Sequence, residues 1–173
     1  MSSSRARLFK KKYRPYWRLS AQKESFVKVL LESWGFRVRP VGLGSLSARY
    51  VEASGSKPDF AVYDFRDELV CFIEVTGANM KVSEKTADIY VTYDKYLKYQ
   101  GLVRKIPVYF IYLGFSRGKL SVAKYIDYQT LKYFAKNIKK RSIRGVEEVF
   151  IVTPRSAWRP LRELYYELVG VIG

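Results

Sequence analysis

The sequence predicts an α/β domain, a mixed β-sheet flanked by helices, on three observations. Short apolar runs rich in β-branched and aromatic residues alternate along the chain with stretches of helical period, the pattern of layered α/β architecture. The 173 residues are 48% hydrophobic, enough to bury a core and too apolar for a disordered chain. No internal repeat or linker interrupts the pattern, so one domain is expected over residues 20–173, preceded by a basic, flexible arm at 1–19.

In that arm Arg5, Arg7, Lys10, Lys11, Lys12 and Arg14 interleave with Phe9, Tyr13, Tyr16 and Trp17. Arms of this kind are mobile until they meet phosphate, so these cations are expected to contact nucleic acid. "SAQKESFVKVLLESWGF" then reads as a helix, with Ser20 as N-cap and Gly35 as its stop. Val27, Leu30, Leu31 and Trp34 follow the helical period, and Glu24 falls on the same inward stripe as Val27 and Leu31. An inward carboxylate needs a partner or a purpose.

"RVRPVGLGSLSARYVEASGS" predicts a strand or two in Gly- and Ser-rich loops. Its "GLG" is a turn, because no Gly-Lys-Ser/Thr follows it. "DFAVYDF" and "LVCFIEVT" are strand-like. Residues 83 to about 104 read as mostly helical, with "DIYVTY" ambiguous. "IPVYFIYLG", "KLSVAKYI" and "EEVFIVTP" predict strands. "YQTLKYFAKNIKK" has helical spacing at Leu131, Phe134, Ala135 and Ile138, and "LRELYYELVGVI" predicts a closing helix. "RSAWRP" reads either as a nucleic-acid contact or as a capped turn.

Charge narrows the chemistry. Lys and Arg total 32 against 16 acidic residues, a net +16, which points to a polyanionic partner, most often nucleic acid. With no histidine, Ser-His-Asp and Cys-His nucleophiles, histidine-ligated zinc and histidine general bases are excluded. Carboxylates, Lys, Tyr, hydroxyls and a hard cation remain. No apolar run is long enough to span a membrane, and the N-terminus lacks a signal-like stretch, so an intracellular, cytoplasmic chain without membrane or small-molecule cofactor is expected. Scarce Asn, Gln and Cys beside abundant Lys, Arg and Tyr hint at a thermophile. The single Cys71 is a packing residue.

The stretch "SGSKPDFAVYDFRDELVCFIEVTG" concentrates the remaining chemistry. If its hairpin turns at Arg66-Asp67, paired positions sum to 133 and Asp59 lies opposite Glu74. Opposed residues share a face with Cβ atoms about 5 Å apart. The opposite face would then be Phe60, Val62, Cys71, Ile73 and Val75, all apolar. Two such carboxylates repel unless a cation joins them, and Mg²⁺ or Mn²⁺ suits an all-oxygen site that retains water. An inward Glu24 would complete the shell.

Glu24 on its helix, Pro58-Asp59, Glu74-Val75-Thr76 and a basic helix before a buried strand resemble the PD-(D/E)XK nuclease superfamily. Archaeal Holliday junction resolvases and nucleases of archaeal viruses and mobile elements are the groups most similar. The resemblance covers roughly residues 20–114. It implies a restriction-endonuclease-like fold and a Mg²⁺-dependent DNA endonuclease, acting on duplex or branched DNA. It also implies metal ligands at Asp59 and Glu74, with Glu24 accessory. The superfamily places Lys two residues after the second acid, where this chain has Thr76. Lys95, Lys81, Lys98 or Lys57 would supply the charge instead, Lys95 being favoured, with Gln100 nearby; Lys57, Lys98 and Gln100 are also expected to contact nucleic acid. The alternative is a catalytically inactive DNA-binding protein on the same scaffold. Cutting both strands would require a homodimer.

Overall fold

The computed structural model describes residues 22–41, 58–79, 87–143 and 145–172. Helix α1 spans 22–33 and buries Val27 and Leu31 completely. Gly35, at φ 92°, ends it in the left-handed region that glycine enters without strain. The strands are β1 (Arg37–Pro40), β2 (Phe60–Tyr63), β3 (Leu69–Asn79), β4 (Ile89–Thr92), β5 (Val108–Ser116), β6 (Lys119–Asp127), β7 (Ile138–Ile143), β8 (Val146–Thr153) and β9 (Arg159–Pro160). Three further helices are α2 (Tyr93–Lys98), α3 (Tyr128–Tyr133) and α4 (Leu164–Ile172).

Six strands form a mixed sheet in the order β1-β2-β3-β5-β6-β9. Among the described residues, only the β3–β5 pair of this sheet is parallel. The second sheet has three strands, β4-β8-β7. The β2–β3 hairpin pairs Phe60 with Ile73, Ala61 with Phe72 and Val62 with Cys71, then slips by one residue at Val62/Tyr63. The expected sum of 133 therefore holds up to a bulge beside the turn. There the buried Asp64 carboxylate accepts the Arg66 and Glu68 N–H groups at 2.9 and 3.0 Å.

Period-2 alternation divides the apolar residues between the two sides of the large sheet. Phe60, Val62, Cys71, Ile73, Ile111 and Leu113 pack on one side against Val27 and Leu31 of α1 and Leu164 and Leu168 of α4. Val108 and Phe110 face the other side. They form a second core with Tyr96 and Tyr99, Leu131 of α3, and Ile89, Val91 and Ile151 of the small sheet. The small sheet and α2 thus cover one face of the large sheet, and α1 and α4 the other.

Two expected helices are corrected. Of the stretch 83–104, residues 89–92 are a strand and only 93–98 an α-helix; 83–86 lie outside the described residues. "YQTLKYFAKNIKK" is helical only to Tyr133; a turn follows, and its last three residues open β7. Asp127 caps the short helix by accepting the Thr130 N–H at 3.2 Å, and β7 finds its backbone partners in β8. "RSAWRP" is a turn around a buried Trp158, whose indole N–H donates to Thr153 Oγ1 at 2.7 Å. Among the described residues no helix is long and apolar enough to cross a membrane.

One contact limits substitution. Gly77 in β3 has φ 148°, and a Cβ there would lie 1.9 Å from the Leu113 carbonyl oxygen of β5. Gly77→Ala is expected to destabilise the chain by about 3 kcal/mol or more through strain and backbone displacement. A urea melt indistinguishable from that of the unsubstituted chain would contradict this account.

Candidate active site

Glu74 lies in the middle of β3 on the α2 side of the large sheet, and only 2% of it is exposed. β3 is central, flanked by β2 and β5, so no solvent reaches the carboxylate from its strand neighbours. Its compensation comes from α2. Lys95 Nζ forms an ion pair with Oε1, and the Tyr99 hydroxyl donates to Oε2 at 2.8 Å. Asp59, just before β2, is held by the Val75 N–H donating to Oδ2 at 2.7 Å. Glu24, in the first turns of α1, comes within hydrogen-bonding reach of the Asp59 carboxyl. Lys23, only 6% exposed, donates from Nζ to the Gly77 carbonyl at 2.6 Å.

Lys23, Glu24, Asp59, Val75, Thr76, Gly77 and Lys95 line a small cleft of about 130 Å³, and the buried Glu74 reaches it through its ion pair with Lys95. Alternation along β3 puts Thr76 on the same side as Glu74, and Thr76 borders the cleft. Of the expected site residues, Glu24, Asp59, Glu74, Thr76 and Lys95 are brought together. Lys98 is not: its ammonium pairs with Asp94 at 2.7 Å, one turn earlier on the outer side of α2. Gln100 is exposed in the turn after α2. Arg5, Arg7, Lys10, Lys11, Lys12, Arg14, Lys57 and Lys81 lie outside the described residues.

Lys23 was not anticipated, although its signal was present. It stands four residues before Val27 and eight before Leu31, on the i, i+4, i+8 row that these buried side chains continue.

The electrostatics follow from crowding acids in a dry place. Burial raises Glu74 to about 7, reinforced by the Asp59 charge and opposed by Lys95 and Tyr99. Burial likewise lifts Asp59 to about 6, against the pull of Lys95. Glu24 is also raised, first by burial and then by Glu74. The donor set of three carboxylates fits a hard divalent cation, which would relieve their repulsion. As the side chains stand, no three such groups among the described residues close on a single ion, and both Glu74 oxygens are turned to Lys95 and Tyr99. A bound cation would share those oxygens with them or displace the ammonium.

With this geometry in place the fold can be assigned: it is a restriction-endonuclease-like fold. A nuclease from a fusselovirus superposes with a TM-score of 0.53 at 18% identity, over 89% of this chain and 93% of that one. A Holliday junction resolvase from the archaeal hyperthermophile Archaeoglobus fulgidus superposes with a TM-score of 0.48 at 15% identity, over 84% of this chain and 93% of that one. At such identities the likeness is one of fold. No family model and no curated protein sequence matches the chain.

The raised carboxylates make stability depend on pH with a definite sign. Their folded values, about 6 and 7, lie above the ordinary 3.8 and 4.5, so the folded chain binds more protons than the unfolded one in between. That stabilisation is complete below about pH 4 and is lost as pH rises through 6 and 7, by at most about 1.4 kcal/mol per pH unit per proton. Without histidine, almost nothing else titrates there. In EDTA the melting temperature is expected to fall between pH 5.5 and 8, and Mn²⁺ to restore it at pH 8. A flat profile would contradict the burial of these acids.

Removing the Lys95 charge isolates its pairing. Lys95→Met is expected to cost about 2–3 kcal/mol at pH 8, because the buried Glu74 must then hold its charge without the ammonium or take up a proton against the bulk pH. At pH 5.5, where Glu74 takes up a proton instead, the cost should shrink. Equal losses at both pH values, measured by urea melts, would argue against the ion pair.

Proposed function

We propose that this protein is a metal-dependent DNA endonuclease that hydrolyses phosphodiester bonds. The single observation that carries this reading is the convergence of Glu24, Asp59 and the buried Glu74 on the ammonium of Lys95 beside the cleft. Asp59 and Glu74, with Glu24 assisting, would hold Mg²⁺ or Mn²⁺, which when bound would polarise a phosphate oxygen and lower the pKa of a water. The chain's own groups do the rest. The Val75 N–H fixes the rotamer of Asp59 and the Tyr99 hydroxyl that of Glu74, so the acids meet substrate preorganised. Lys95, at the cleft wall, offsets the charge that builds on the phosphorane and orients the attacking water. Lys23 keeps a second positive charge beside Thr76, where the superfamily's lysine would stand.

The net charge of +16 supports a nucleic-acid substrate, and the fusselovirus neighbour is itself a nuclease. Duplex or branched DNA is the substrate class; a junction or flap would explain selectivity by structure rather than sequence. Residues 1–19 would add sequence-independent affinity as a basic arm, and a homodimer would bring two sites to two strands. The rival reading, a scaffold that binds DNA without cutting it, draws on Thr76 and on the occupied oxygens of Glu74.

Cleavage of labelled four-way junction, linear duplex and single-stranded DNA with Mg²⁺ or Mn²⁺ separates the two. Asp59→Ala and Glu74→Ala are each expected to reduce cutting by about 100-fold or more, the several kcal/mol that such a centre contributes. Binding without metal-dependent cutting, unchanged by either substitution, would establish the rival.

A further inference from the structure

The small sheet has a feature the cleft does not use. β4 pairs only with Phe150–Thr153 of β8, whereas β7 pairs with β8 all the way from Ile138↔Ile151 to Ile143↔Val146. Four residue pairs, Lys140↔Val149 to Ile143↔Val146, therefore extend past the end of β4 as a two-stranded ribbon about 13 Å long. β7 is the edge strand, and its Lys139, Lys140 and Arg141 are all exposed. Successive residues point to opposite faces of a strand, so Lys140 leaves one face of the ribbon and Lys139 and Arg141 the other. The Arg141 guanidinium lies 4.4 Å from the centroid of the Tyr90 ring, which limits its freedom.

Residues 131–143 carry five basic side chains and no acidic one. Two carboxylates stand on the partner strand, Glu147 and Glu148, the latter opposite Arg141, so the positive charge is concentrated along the β7 edge rather than spread over the ribbon. The ribbon also belongs to the right side of the molecule. The small sheet packs on the face of the large sheet that carries Phe72, Glu74 and Phe110, and β4 runs directly into α2, which delivers Lys95 and Tyr99 to Glu74.

We propose that the β7–β8 ribbon is a docking surface for duplex DNA, a second footprint outside the cleft, built on the nuclease reading above. A two-stranded ribbon has the width that the major groove of B-DNA admits. An edge of closely spaced cations matches the phosphates that border that groove. Lysines on an edge strand also serve simply to block pairing with other chains, and the test must tell the two roles apart.

The experiment is fluorescence anisotropy of a labelled 30-base-pair duplex in EDTA, where cutting is suppressed, over a range of salt concentrations. The full-length chain is compared with the triple variant Lys139→Ala, Lys140→Ala, Arg141→Ala. A second triple variant, Lys105→Ala, Lys119→Ala, Arg162→Ala, removes the same charge from exposed positions elsewhere. Melting temperatures verify that each variant folds. The ribbon variant is expected to bind about tenfold or more weaker, with the salt slope reduced by about 2–3, and the control to lose far less. Lys139→Arg with Lys140→Arg should retain affinity. Equal losses in both triple variants would mean a diffuse field and overturn the proposal. Unchanged affinity with new self-association would assign the lysines to edge protection and overturn it too. If the unsubstituted chain fails to bind duplex, the ribbon proposal falls and the nuclease reading is decided separately by the cleavage assay above; if that chain binds and the ribbon variant matches it, only the ribbon proposal falls.

Discussion

A carboxylate buried at the centre of a sheet is the constraint around which this molecule is arranged. Glu74 has almost no contact with solvent, and an ionised group in such a place must be neutralised by fixed partners or give up its charge. The partners come from α2, which has to lie across β3 for Lys95 and Tyr99 to reach the two oxygens. Holding α2 there in turn requires β4 to lead into it, and the four residues of β4 take their ladder from β8 of the small sheet. The apolar side chains of α2 and the small sheet then form the second core. Site chemistry and half of the fold are thus one requirement.

The two sides of β3 show how a single strand serves incompatible demands. Cys71, Ile73 and Val75 point toward α1 and α4, where packing alone decides. Phe72, Glu74 and Thr76 point the other way, toward α2 and the cleft. Gly77 interrupts this alternation where β5 approaches too closely for any side chain, and its carbonyl is free to accept the Lys23 ammonium. Helix α1 consequently contributes to both sides, with Val27 and Leu31 in the first core and Lys23 and Glu24 at the margin of the site.

Much of this was legible in the sequence because it rested on period-2 patterning. The β2–β3 register, the apolar face opposite the acids and the proximity of Asp59 to Glu74 all follow from where polar and apolar residues alternate. The inward stripe of α1 followed from its 3.6-residue period. β7 was illegible for a physical reason. As an exposed edge strand it has no buried face to enforce alternation, and the spacing of Leu131, Phe134, Ala135 and Ile138 mimics a helix across what is really a short helix and a strand. Lys23 was overlooked because a lysine on an apolar stripe reads as solvent-seeking, although a buried carbonyl and neighbouring acids give it a reason to stay. The bonds of Tyr99 and Val75 to the carboxylates depend on tertiary approach, which no local pattern encodes.

Cys71 is fully buried beneath the sheet, and burial pushes its thiol far above the usual range, so it is a poor nucleophile. It is also the chain's sole cysteine. The folded protein therefore presents no reactive thiol of its own. A cysteine introduced anywhere on the surface becomes a unique chemical address for a dye, a spin label or a crosslinker, without first rebuilding the core to remove the native one.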